Sequence, residues 1–473
     1  MGEVRRRRAK REGRLEVMTL GSALHQKSGQ PERVVPIKGE AVDDATRDEA
    51  RPAWQQQEGL GKEDLLGQAL SRENMVAAWK RVKANKGSAG VDGMSIDQMP
   101  EYLKTYWPQI RSELLNGTYR PQAVRRVEIP KPAGGKRELG IPTVLDRLIQ
   151  QALLQILQPL IDPTFSEFSY GFRPGRSAHD AVRKAQQYAQ EGYRVVVDVD
   201  LEKFFDRVNH DILMDRLAKR IADKAVLRLI RRYLQAGIMV DGVVYERTDG
   251  TPQGCPLSPL LANVLLDEVD KALEKRGHRF ARYADDCNVY LRSQSSGERV
   301  LGFLRSLYAK LHLRVNEKKT EVGSVFGRKF LGYCLRQWTG DTVKIAMAPK
   351  AIDTFKQRIR VITRRAGGRG MIQIAQSLRK YLPGWKAYFR LAQTPTTFRD
   401  LDSWIRRRLR AVQLKQWKRG TTIYRGLRSL GATHEVAAQV AAAGRRWWHS
   451  SRSNLHRVLT VDYFDSIGFP RLT

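Results

Sequence analysis

Phe280-Ala281-Arg282-Tyr283-Ala284-Asp285-Asp286-Cys287-Asn288-Val289-Tyr290-Leu291 is the stretch that decides how this chain is read. Two β-forming runs flank a pair of aspartates, the pattern of strand, two-residue acidic turn at Asp285-Asp286, and strand. By itself such a pair also suits an ordinary turn, because Asp favours turns and tolerates unusual φ. A second stretch upstream shifts the balance. Arg194-Val195-Val196-Val197-Asp198-Val199-Asp200 is a β-branched run that ends in acid, followed by Leu201-Glu202-Lys203-Phe204-Phe205-Asp206. Charge on a strand bound for the core is costly and needs a reason. Carboxylates from two neighbouring strands can hold a pair of Mg²⁺ ions about 3.5–4 Å apart, one activating a hydroxyl and the other stabilising the leaving oxygen of an in-line phosphoryl displacement. The expected chemistry is nucleotidyl transfer.

Composition points the same way. The 473 residues carry 84 Lys and Arg against 50 Asp and Glu, a net charge of +34, and 41% of them are hydrophobic. That apolar content excludes a wholly disordered chain, and the charge favours a polyanionic partner over a small metabolite. No stretch approaches the ~20 consecutive apolar residues of a membrane span, and the start, with Arg5 to Arg8, lacks the apolar core of a secretory signal. A cytoplasmic protein without a membrane partner is expected. Cys255, Cys287 and Cys334 are too few and too far apart for a disulfide framework or a paired-cysteine zinc site, so each is read as a small core residue.

The charge is unevenly spread. From Ala351 to Thr473 there are 25 Lys and Arg against 6 Asp and Glu, a surplus of 19. Residues 1–69 read as a flexible basic leader, polar and without apolar periodicity. From Leu70 to about Leu335 short strands alternate with helices, and from Pro349 onward the pattern is helical. Phe398, Leu401, Ile405, Leu409 and Val412 recur at helical spacing, with Arg406, Arg407 and Arg410 largely off that stripe and Gly420 placed to cap the helix. This predicts an amphipathic helix with a basic outer face.

Tyr283-Ala284-Asp285-Asp286 resembles the Y-x-D-D box of reverse transcriptases, in the form found in bacterial group II intron-encoded proteins. Four further stretches are similar to motifs of that family in the same order. They are Asn85-Lys86-Gly87-Ser88-Ala89-Gly90-Val91-Asp92-Gly93; Arg126-Val127-Glu128-Ile129-Pro130-Lys131-Pro132 with Gly134 to Pro142; Tyr170-Gly171-Phe172-Arg173-Pro174-Gly175-Arg176-Ser177; and Thr251-Pro252-Gln253-Gly254-Cys255-Pro256-Leu257-Ser258-Pro259. Leu382-Pro383-Gly384-Trp385-Lys386-Ala387-Tyr388-Phe389 resembles the maturase-specific thumb. The resemblance implies an α/β right-hand polymerase followed by an α-helical thumb or maturase domain. Its parts would be an N-terminal extension and fingers (70–190), a palm (191–345), the thumb (346–436) and a basic tail (437–473).

It also implies roles. The family's first catalytic Asp is followed five positions on by an aromatic residue, which fits Asp200 with Phe205 and leaves Asp198 as a second charge on the same strand face. Asp200, Asp285 and Asp286, with the backbone carbonyl of Leu201, would hold two Mg²⁺ ions. Phe205 would exclude the 2′-hydroxyl of a ribonucleotide. Lys131 and Arg137 would grip the triphosphate of the incoming dNTP, where compact charge and forked donors suit phosphate oxygens. Gln253 and Gly254 would pack on the nucleotide and template base, and Lys319, with Lys318 beside it, would protonate the leaving pyrophosphate. Arg173, Arg176, Arg406, Arg407 and Arg410 would face nucleic acid.

The function that the resemblance implies is that of an RNA-directed DNA polymerase that also binds its intron RNA as a maturase, with an RNA template, a DNA primer, dNTPs and a DNA target site as partners. No cysteine follows Cys334, which implies the compact type without the C-terminal HNH endonuclease. A host-adopted reverse transcriptase of DNA repair or defence would keep all these motifs. An RNA-binding splicing factor without polymerase activity would not need the three aspartates. The sequence leaves the oligomeric state open.

Overall fold

The computed structural model describes residues 64–130, 136–240, 242–365, 367–443, 446–451 and 454–473. Its centre is a four-stranded antiparallel sheet in the order Arg279–Tyr283, Asp286–Leu291, Val195–Val199, Glu321–Ser324. Strand periodicity sends alternate side chains to opposite layers. Val197 and Val199 enter one core with leucines of helices Ser258–Lys275 and Gln294–Lys310. Val196 enters another with Ala181, Val182 and Ala185 of helix Ala178–Gln190. Being covered on both faces, Val195–Val199 reads as a continuous apolar run until the acids begin.

A second sheet holds the hairpin of Val124–Pro130 with Lys136–Ile141, extended beyond Val124–Pro130 by Ile238–Val240 and then Val243–Tyr245. A three-stranded sheet of Lys329–Phe330, Tyr333–Gln337 and Val343–Met347 leads into the helical part, which starts at Pro349 as expected. Pro349–Ile362, Met371–Tyr388 and Pro395–Trp417 pack around Phe355, Ile374, Leu378, Leu401, Ile405 and Leu409. This mixed α/β body followed by helices is the expected fold class. All three cysteines are buried and free, as the sequence predicts.

Three boundaries differ from expectation. The predicted leader of residues 1–69 lies outside the described residues up to 63, but Leu65–Ala69 is a helix whose Leu65, Leu66 and Ala69 are buried, so the folded body starts earlier. Gly420 does not cap the long helix. Lys418 does, at φ 60, and Gly420 opens the next helix, Gly420–Ser429. The predicted tail of residues 437–473 is, where described, part of the folded domain: Ala437, Val440, Leu455, Leu459, Phe464, Phe469 and Leu472 are buried in the same core as the thumb helices. Apolar residues spaced irregularly between short helical turns made that packing hard to see in the sequence.

Candidate active site

Strand pairing runs to Tyr283 opposite Asp286, so Ala284 and Asp285 form the two-residue turn and Asp286 already belongs to the strand. The acidic turn is thus shifted by one residue from the reading of Asp285-Asp286. Ala284 is held at φ 58, a left-handed conformation uncommon for a residue with a side chain. Asp200 follows directly on the neighbouring strand. Its carbonyl accepts the Asn316 N–H (2.8 Å), and its Oδ2 accepts Asn316 Nδ2 (3.0 Å) and Lys319 Nζ (2.9 Å). It is therefore Lys319, at the end of the turn from Asn316, that reaches the carboxylate.

Negative charge is crowded here. Burial and the Asp200 charge push the Asp285 carboxyl above its ordinary range. Asp286 is pushed up to about 7 by desolvation and then by Asp285, Asp198 and Asp200. Burial likewise raises Asp198, against the pull of Arg328, whose Nη1 lies 3.7 Å away. Hard oxygen donors with mutually repelling charge are the donor set that suits a hard divalent cation. Among the described residues no three His, Cys, Asp or Glu side chains are drawn together as a metal cluster. Asp200 Oδ2 points instead to Lys319 and Asn316.

Arg137 Nε donates to Gln253 Oε1 (2.5 Å), the Gly140 N–H donates to the Gln253 carbonyl (2.9 Å), and a Cβ on Gly254 would lie 3.1 Å from the Gly140 carbonyl. These contacts seat the 251–259 loop against the fingers hairpin. Phe205, half-buried, meets Phe204 edge-on at 5.1 Å, and its carbonyl accepts the Thr251 N–H at 2.7 Å. Arg137, Gln253, Gly254 and Phe205 are thereby linked through one loop. Leu201 is buried and bridges to Val315. Lys131 lies outside the described residues.

Of the five arginines expected to face nucleic acid, Arg173 and Arg406 are buried and Arg176, Arg407 and Arg410 are half-buried. Arg173 is buried: it pairs with Asp162 (3.0 Å) and donates to the carbonyls of Ser166 and Ser169. Arg176 donates to the Glu167 carbonyl and lies over the Tyr170 ring. Both organise the 165–176 loop. Arg406 is buried and pairs with Asp465 (3.1 Å), Arg407 stacks on Trp448 at 4.0 Å, and Arg410 donates to the Leu459 carbonyl (2.9 Å). Trp448, Leu459 and Asp465 thus pack against the face that the helical pattern assigned to solvent, with Arg406 buried beneath them and Arg407 and Arg410 half-buried at its edge.

The sequence reading missed Arg282. It is fully buried below the acidic turn and paired with the equally buried Asp270. Its signal was present: an arginine inside an apolar strand demands a partner, and Asn263, Asp267, Asp270 and Glu274 repeat at helical spacing along an otherwise leucine-rich helix.

Residues 129–335 match the family model described as reverse transcriptase (RNA-dependent DNA polymerase), and residues 352–431 match the group II intron, maturase-specific domain. The chain is 38% identical to protein YkfC of Escherichia coli over 45% of its own length and 57% of the relative's. It is 37% identical to the group II intron-encoded protein LtrA of Lactococcus lactis over 43% of its own length and 34% of LtrA. A 91 kDa protein in the cob intron of Schizosaccharomyces pombe is 34% identical over 45% of this chain and 26% of that protein. The matched stretch spans less than two thirds of each of these relatives.

Proposed function

Because this chain joins a reverse transcriptase domain to a group II intron maturase-specific domain, we propose that it is an RNA-directed DNA polymerase that also binds a group II intron RNA and promotes its splicing and mobility. The observation that carries the polymerase reading is the crowding of Asp200, Asp285 and Asp286 at the joined ends of two palm strands. On this reading these carboxylates and the Leu201 carbonyl hold divalent cations, proposed to be two Mg²⁺. Such ions, when bound, lower the pKa of an attacking hydroxyl and neutralise charge developing on phosphate oxygens.

The chain's own residues would do the rest. Arg137 and Lys131 grip the triphosphate of a dNTP, and Gln253 and Gly254 form the floor beneath the base. The Phe205 ring fills the space a 2′-hydroxyl would need. Lys319, which donates to Asp200, would hand a proton to the departing pyrophosphate. An RNA template with a DNA primer would run across the palm, and structured intron RNA would meet the helical domain through phosphates and shape. Its setting would be the bacterial cytoplasm, with a DNA target site as the destination of the intron. Among the described residues no helix is long and apolar enough to cross a membrane.

The test is extension of a DNA primer on an RNA template with Mg²⁺ and dNTPs, run beside splicing of a group II intron RNA. Template-dependent cDNA is expected, with splicing accelerated at low Mg²⁺. A chain that binds RNA and speeds splicing without extending any primer would leave only the maturase half of the proposal.

A further inference from the structure

Beneath the acidic turn, three segments meet on one side chain. Arg282 has five N–H donors, and every one is used. Nε donates to Asp270 Oδ1 (2.7 Å) and Oδ2 (2.9 Å), and Nη2 to Asp270 Oδ2 (2.5 Å) and Ser169 Oγ (2.7 Å). Nη1 donates to Asn263 Oδ1 (2.9 Å) and to the carbonyl of Ala284 (2.9 Å). Asn263 in turn donates Nδ2 to the Gly171 carbonyl (2.9 Å). The backbone of Arg282 is bound as well, its N–H to the Phe168 carbonyl (2.9 Å) and its carbonyl to the Tyr170 N–H (2.8 Å). On the other side Gly171 is pressed so closely to the turn that a Cβ there would lie 2.2 Å from the Ala284 nitrogen.

A buried ion pair is an inefficient device for stability alone, since desolvating both charges offsets much of their attraction. What distinguishes this one is where its donors beyond the carboxylate go: to Asn263, to Ser169 and to the acidic turn itself. The bond from Nη1 to the Ala284 carbonyl holds the peptide plane between Ala284 and Asp285. That plane fixes ψ of Ala284 and φ of Asp285, and with them the direction of the Asp285 carboxylate. Ala284 sits at φ 58, a conformation that persists only where its surroundings over-determine it. The Arg282 bond from below and the close approach of Gly171 supply that constraint. We propose that Arg282, seated by Asp270 and Asn263, is a positioning residue that aims the Asp285 carboxylate for cation binding. This rests on the polymerase reading above.

The full-length chain is compared with two variants. Arg282→Met/Asp270→Leu removes both charges together, so no buried charge is orphaned. Arg282→Lys keeps the charge opposite Asp270 but lacks the fork that reaches Ala284 and Asn263. Four quantities are measured: thermal unfolding, affinity for an RNA template with DNA primer in the absence of divalent ions, the Mg²⁺ concentration giving half-maximal extension, and Mn²⁺ binding to the free protein by electron paramagnetic resonance. Both variants should bind template and primer as the parent does. Their Mg²⁺ requirement should rise, and their Mn²⁺ affinity fall, by about tenfold or more, the scale on which groups behind a metal ligand act. A folded variant with the parent's Mg²⁺ requirement and Mn²⁺ affinity would overturn the proposal. If the double variant does not fold, Arg282→Lys decides by the same two readings. If the parent itself extends no primer, the polymerase reading fails, and the Mn²⁺ comparison still decides whether Arg282 aims the turn.

Discussion

The palm and the helical C-terminal domain both bury arginine, but for different ends. Under the acidic turn one guanidinium meets one carboxylate, and its remaining donors go to Asn263, Ser169 and the Ala284 carbonyl of the turn. In the last 123 residues acids are scarce, and arginines turn inward onto backbone carbonyls and rings: Arg407 onto Trp448, Arg410 onto the carbonyl of Leu459, Arg408 onto the carbonyl and hydroxyl of Thr363. A large positive surplus therefore does not say which side chains are available to a polyanion. Where carboxylates are few, the forked donors of arginine satisfy helix ends and loops instead. The exposed cations lie elsewhere, among them Arg364, Arg365 and Arg369 in the connection between helices Pro349–Ile362 and Met371–Tyr388.

This contrast can be broken at several points. Asp200→Ala should lower primer extension by about a thousand-fold or more, because preorganised electrostatic groups act on that scale, while the melting temperature stays close to the parent's. Extension from a labelled primer checks it. In the C-terminal domain, Arg364→Gln, Arg365→Gln and Arg369→Gln together should flatten the plot of log RNA affinity against log salt by roughly 2–3, from about 0.7–0.9 per lost phosphate contact. Filter binding from low to high salt reads this directly, and an unchanged slope would move RNA recognition off that connection.

Arg406→Ala should do the opposite, leaving the salt slope alone and destabilising the domain by roughly 2 kcal/mol through lost packing over Phe464 and a broken pair with Asp465. Thermal denaturation reads that change. The smallest effect belongs to selectivity. Phe205→Val should raise the ratio of ribonucleotide to deoxyribonucleotide incorporation by roughly tenfold or more, the scale set by a pocket altered by a few methylenes. An unchanged ratio in competition assays would make Phe205 a packing residue.

Much of the palm was legible because its constraints are local. A β-branched run ending in Asp200, and an acidic pair between two strands, leave few structural alternatives. The pairing of Tyr283 with Asp286 moved the turn by one residue, since alternation alone does not fix where a hairpin closes. The part Arg282 plays escaped notice because its partners come from helix 258–275 and loop 165–176, distant in sequence. The basic helix was misread for a related reason. Periodicity located the apolar stripe of Leu401, Ile405 and Leu409 correctly, but only tertiary packing reveals that Phe464 and Trp448 cover the opposite side. Lys131 and the first 63 residues lie outside the described residues.

On the proposed function, labour is divided between an acidic turn that performs synthesis and a basic domain that holds RNA. The most direct test of that division is Asp285→Ala, assayed in one buffer for primer extension on an RNA template and for affinity toward a group II intron RNA. Extension should fall to background with the RNA dissociation constant unchanged within about twofold, since a single half-buried carboxylate, itself an anion, adds little to binding that runs through phosphates. Extension at the parent's rate in Mg²⁺ would contradict the account.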